Sequence, residues 1–186
     1  MIALIGNRPI IQVGRHQVHD YDTRWLGDAL QRAARAAERE DFPFLDEIRR
    51  GVEEYLETKC SLELLSIDAL YQRVRKMLEK IGCQHIAEKL EPLAPPVTIS
   101  LEQAAREAGN GFELAFFTHL RDEIAHLGEA GAEEVRFTGL LESVQVLSGS
   151  SDWNANCDRL LTEIRAFLHR HDRVRRRLHV ESDRKD

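Results

Sequence analysis

The chain has 186 residues, 42% of them hydrophobic, enough to bury a core in one domain or two small ones. A charged fraction of 31% and a formal net charge of -6 imply a soluble surface and exclude a protein that coats nucleic acid through overall positive charge. The opening MIALIGNRPIIQV shows no basic n-region, apolar h-region or small-residue cleavage site, and no segment reaches membrane-span length, so the expectation is a cytoplasmic protein without a membrane partner.

The pattern starts with Ile2–Ile5 and Ile10–Val13, short apolar runs either side of Gly6-Asn7-Arg8-Pro9, and Gln17–His19 follows a turn at Gly14-Arg15-His16. This reads as a small β-flap. Trp25, Leu26, Ala29, Leu30, Ala33 and Ala37 then recur at three- and four-residue steps, predicting a helix that Asp22 caps and on which Tyr21 packs near Leu26. Phe42-Pro43-Phe44 is expected to interrupt it. Leu45, Ile48, Val52, Tyr55 and Leu56 predict a second helix ending near Lys59. Ser61–Leu65 reads as a link, Ser66 opens a third helix closed by Gly82, and Ile86, Ala87 and Leu90 mark a short fourth. Pro92, Pro95 and Pro96 cannot continue a helix, which places a boundary between domains at 1–93 and 97–180.

Beyond it, Ser100 can cap a helix over Leu101–Ala108, broken by Gly109-Asn110-Gly111. Phe112, Phe116, Leu120, Ile124 and Leu127 form a helical stripe expected to stop at Gly128 and Gly131. Residues 133–147 satisfy both a strand, through Val135-Arg136-Phe137, and a helix, through Phe137, Leu140, Leu141, Val144 and Leu147. A long last helix is expected from Trp153 toward Leu178, with a frayed tail after it. No internal repeat is visible.

Tyr21-Asp22-Thr23-Arg24-Trp25-Leu26, following the flap, then Leu70-Tyr71-Gln72-Arg73-Val74, Leu78, Gly82 and Ile86-Ala87, give the first half a resemblance to the ATP-cone, the nucleotide-sensing module of ribonucleotide reductases and their transcriptional repressor. The resemblance implies a β-flap on four helices, a nucleotide effector and a regulatory role. The family's first turn carries Lys-Arg-Asp-Gly, whereas this chain has Val13-Gly14-Arg15-His16. By position, the resemblance therefore implies an altered anion site at Arg8, Arg15 and His16, with too few cations for ATP or dATP and no bound cofactor.

His119, Glu123 and His126 share a helical face in metal-ligand fashion, but no second cluster is tied to them, so a solvated polar face is the expectation. Cys60, Cys83 and Cys157 are odd in number and widely spaced, which gives no disulfide framework or metal pair. Leu101, Ala104, Ala105, Gly109 and Ala115 follow helix-turn-helix spacing, and Arg173, Arg175, Arg176 and Arg177 end the last helix as a basic cluster able to meet an acidic protein, RNA or DNA. The expectation is a mainly α protein, with an ATP-cone-like half and a helical or α/β second half. It is expected to act as a non-catalytic regulatory or protein-interaction module through a protein partner or self-association. The alternative is a nucleic-acid-binding transcriptional regulator.

Overall fold

The computed structural model describes residues 8–171 and 177–180. Ile2–Ile5 and the tail after Val180 lie outside them. The chain divides into two compact units, Met1–Pro95 and Pro96–Asp186. Among the described residues there are eight α-helices and six short strands, so the protein is mainly α as expected.

In the first unit β1 (Ile10–Val13) and β2 (His16–Val18) form an antiparallel hairpin. A third strand, β3 (Leu64–Ser66), pairs parallel to β1 where the sequence reads as a link, giving the order β2-β1-β3. The helices are α1 (Arg24–Ala36), α2 (Leu45–Glu54), α3 (Ile67–Lys80) and α4 (Gln84–Lys89), and α2 runs into a π-helical turn at Tyr55–Lys59. Ser66 caps α3 by accepting from the Ala69 amide at 3.2 Å. Ile11, Leu26, Leu30, Leu56, Tyr71 and Leu78 are fully enclosed, so the sheet and helices share one core, which the Ile86-Ala87 pair joins from α4.

Two local expectations need correction. Asp22 is not the cap of α1; that position is Thr23, whose hydroxyl instead accepts from Arg49 Nη1 at 3.1 Å. Asp22 sits one residue earlier and accepts from the Arg24 amide at 3.0 Å, a short turn that leads the chain into the helix. Nor does Pro43 end α1. The helix stops at Ala36 because Arg39 N–H returns to Ala34 O at 2.8 Å and Glu38 N–H to Arg35 O at 3.0 Å, the paired bonds of a Schellman turn with Glu38 in the left-handed region.

The second unit is α/β. Strands β4 (Val97–Ser100), β5 (Glu134–Thr138) and β6 (Arg177–Val180) form a parallel sheet in the order β4-β5-β6. Helices α5 (Leu101–Ala108) and α6 (Glu113–Glu129) connect the first pair, and α7 (Leu140–Ser148) and α8 (Ala155–His171) connect the second. Each crossover is thus a short helix followed by one of 17 residues, a repeat of architecture that the letters of the sequence conceal. The turn of the first crossover meets the end of α7: Gly111 N–H donates to Leu147 O at 3.2 Å. The ambiguous stretch 133–147 resolves into a strand and then a helix, parted by Gly139. Helix α6 runs through Gly128 and ends at Glu129, with Gly131 in the left-handed region just beyond its Ala130 cap. Helix α8 begins after Trp153 and ends at His171, while Leu178 lies in β6 opposite Val135, because a parallel sheet needs its third strand at that point.

Val97, Ile99, Val135 and Phe137 are buried, while Thr98 and Arg136 between them are exposed, the alternation of a sheet packed on one face.

Candidate docking groove

The residues expected to hold an anion are not gathered. Arg8 precedes β1 and Arg15 follows it, at opposite ends of a strand whose four residues span roughly 13 Å. The Arg8 guanidinium is engaged within its own unit: Nε donates to Glu57 Oε1 at 3.0 Å, Nη2 to Glu53 Oε1 at 2.9 Å, and Nη1 to the Tyr21 carbonyl at 3.0 Å. These bonds, the one to Glu57 foremost, raise its pKa. Glu53 also lies 3.6 Å from Arg49, so Arg8 and Arg49 together tie the Tyr21–Thr23 junction to α2. Arg15 is exposed on the hairpin turn and His16 is half-buried beside it, each with a partner of its own.

Of the basic tail, Arg173, Arg175 and Arg176 lie outside the described residues, and Arg177 pairs with Glu134 in the register of β5 and β6. The helix-turn-helix spacing serves the first crossover, where Ala104 and Ala105 are buried. His126 is exposed, His119 stands 4.0 Å from Glu107, and Glu123 is buried, so the three do not converge. Among the described residues no three His, Cys, Asp or Glu side chains gather as a metal site.

What the second unit does present is a groove between α6 and α8, a cavity of about 630 Å³ lined by Phe117, Glu163, Ala166, Phe167, His169 and Arg170. It follows from sequence. The stripe Phe116, Leu120, Ile124 and Leu127 buries one face of α6, yet Leu114 and Phe117 are also apolar and lie off that stripe. Leu114 is 82% exposed, and at three residues from Phe117 it borders the same side of the helix. The floor is aromatic: Phe117 meets Phe167 at 5.1 Å between ring centroids, and Phe167 meets His171 at 4.2 Å. At the loop end Phe112 is 65% and Trp153 41% exposed, on adjoining turns.

Its charges are asymmetric. At the α6 end, Arg159 Nη2 lies 3.0 Å from Glu113 and Nη1 lies 2.7 Å from Glu163, so one cation is shared by two carboxylates and that end stays net negative. At the other end Arg170 is exposed and donates only to the Ala166 carbonyl of its own helix, at 3.3 Å, with no carboxylate partner among the described residues. Sequence reasoning passed over Leu114 and Phe117; the available signal was apolar residues left over after the buried stripe of α6 is counted.

No family model, curated protein or solved structure matches the chain. No helix among the described residues is long and apolar enough to cross a membrane.

Proposed function

We propose that the protein is a non-catalytic regulatory module that works by protein interaction, with the α6–α8 groove as its docking surface. The observation that carries this reading is the exposed Leu114 bordering the Phe117–Phe167 floor, since large apolar side chains left in water beside a concave surface are characteristic of recognition sites. The first unit fits the same role as an ATP-cone-like regulatory half: strands, the Tyr21-Asp22-Thr23 junction and four helices ending at the buried Ile86-Ala87 pair follow one another in the expected order. With Arg8 held by Glu53 and Glu57, its altered turn does not serve a triphosphate.

The test is site-specific photocrosslinking in cells with a reactive residue placed at Leu114 or, as a control, at exposed Glu79 of α3. A discrete protein adduct from position 114 that is absent from position 79 and lost with Phe117→Ser is expected. Equal labelling at both positions, or none at 114, sinks the reading. In parallel, magnesium ATP and dATP should leave the thermal midpoint unchanged, because only a ligand of the folded state raises it. Micromolar binding lost with Arg15→Ala would make nucleotide-dependent regulation the function instead.

A further inference from the structure

We propose that Asn110 is a self-modification site, an asparagine that cyclises onto Gly111 and deamidates when the turn carrying it opens. The chemistry begins in the sequence: of Asn7, Asn110, Asn154 and Asn156, only Asn110 precedes a glycine. With no Cβ beside it, the Gly111 nitrogen is the least hindered backbone nucleophile an asparagine side chain can meet. Once that nitrogen gives its proton to solvent base, it attacks Asn110 Cγ. A C–N bond forms, the Cγ–Nδ2 bond breaks, and ammonia leaves behind a five-membered imide. Water then opens the ring at either carbonyl, giving aspartate or isoaspartate. Asn110 and Gly111 are both exposed, so base and water reach them.

The folded turn restrains this reaction. Asn110 and Gly111 are the central pair of a turn that Phe112 N–H closes onto Gly109 O at 3.2 Å, with Gly111 at φ +78° as in a type II turn. The attacking nitrogen is already committed, because its N–H donates to Leu147 O at 3.2 Å. The Asn110 amide is braced on Gly149, where an added Cβ would lie 2.6 Å from Asn110 Cγ. Opening the turn breaks both hydrogen bonds, and the conversion that follows does not reverse. Its product sets a carboxylate beside the C-terminal pole of α7, which Gly149 caps, and isoaspartate also lengthens the main chain of the turn by one carbon.

Peptide mass spectrometry of the full chain, held in mildly alkaline buffer with and without unfolding guanidinium chloride, tests this. Conversion at Asn110 is expected in both samples, slower in the folded chain by about tenfold or more because the hydrogen bonds of the turn must break first. Asn154 and Asn156, each followed by a residue with a side chain, should stay unchanged over the same time. Gly149→Ala, whose Cβ displaces the Asn110 amide, should raise the rate under native conditions several-fold while Asn154 and Asn156 remain intact. No conversion at Asn110 in the unfolded chain overturns the site. Equal rates in the folded and unfolded chain overturn the gate, whether or not the Gly149→Ala variant folds. A folded Gly149→Ala protein that converts at the wild-type rate shows that Gly149 does not hold the amide, and overturns the gate as drawn.

Discussion

The Tyr21 hydroxyl donates to the Pro9 carbonyl at 2.8 Å, fastening the residue before the α1 turn to the residue before β1. Burial raises the Tyr21 pKa to about 12, and its ring stands edge-on to Trp25 with centroids 6.5 Å apart. Below the unfolded tyrosine value of about 10 both states are neutral and this contribution is complete. Above it the unfolded chain releases its proton first, so stability is lost as the pH climbs from about 10 toward 12. Tyr71, whose hydroxyl accepts from the Leu93 amide, is shifted the same way by burial and adds to the effect. Urea unfolding should show a midpoint that drops across this window and drops less in Tyr21→Phe, which costs about 1 kcal/mol at neutral pH through the lost hydrogen bond. Parallel pH profiles in wild type and variant would refute the assignment to Tyr21.

Glu38 has φ +57°, the one non-glycine residue with positive φ among the described residues, and it closes the Schellman turn of α1. A Cβ in that conformation is strained, and the Glu38 side chain is exposed, with no buried contact to offset the strain. Glu38→Gly should therefore stabilise the protein by about 0.5–1 kcal/mol despite the greater freedom of glycine in the unfolded chain, whereas Glu38→Ala should be close to neutral. Chemical denaturation of the three proteins decides it, and a destabilised glycine variant would count against the turn.

Gly139 opens α7 with φ +70°, and a Cβ there would stand 3.1 Å from Glu102 Cβ and 3.3 Å from the Glu102 amide nitrogen. Strain and crowding act together, so Gly139→Ala should cost about 2 kcal/mol. Gly51, inside α2, is the counterpart, because a Cβ added there meets nothing within 4 Å. Its change to Ala should stabilise by about 0.5–1 kcal/mol. Opposite shifts in thermal midpoint are expected, and a tolerated Gly139→Ala would mean that α5 and α7 do not approach as closely as described.

What could be read from the sequence was what neighbours decide. Ser66 and Ser100 cap their helices as expected because a cap needs only an amide three residues on. Strand β3 escaped notice because three residues carry no periodicity of their own; Leu64–Ser66 is a strand only through Ile10–Gln12, more than fifty residues away. Phe137 satisfied strand and helix patterns equally, and the choice lay with Ile99, its partner across the sheet. Arg8 looked like a free cation since Glu53 and Glu57 are far from it in sequence. The groove was not legible: Phe117 lies off the buried stripe of α6, and its meeting with Phe167 depends on how α6 and α8 lie together.

The two crossovers of the second unit also set an order of events during synthesis. The β1–β2 hairpin closes over a two-residue turn, so the first unit can begin to pair as soon as Val18 has emerged. Strand β5 must wait for β6, which follows only after α7 and α8 have been made. Until then the central strand has an unpaired edge, a template for mispairing with other chains. A nascent chain is therefore most exposed to aggregation between the completion of β5 and the arrival of Arg177–Val180, and that interval is where a ribosome-associated chaperone has most to protect.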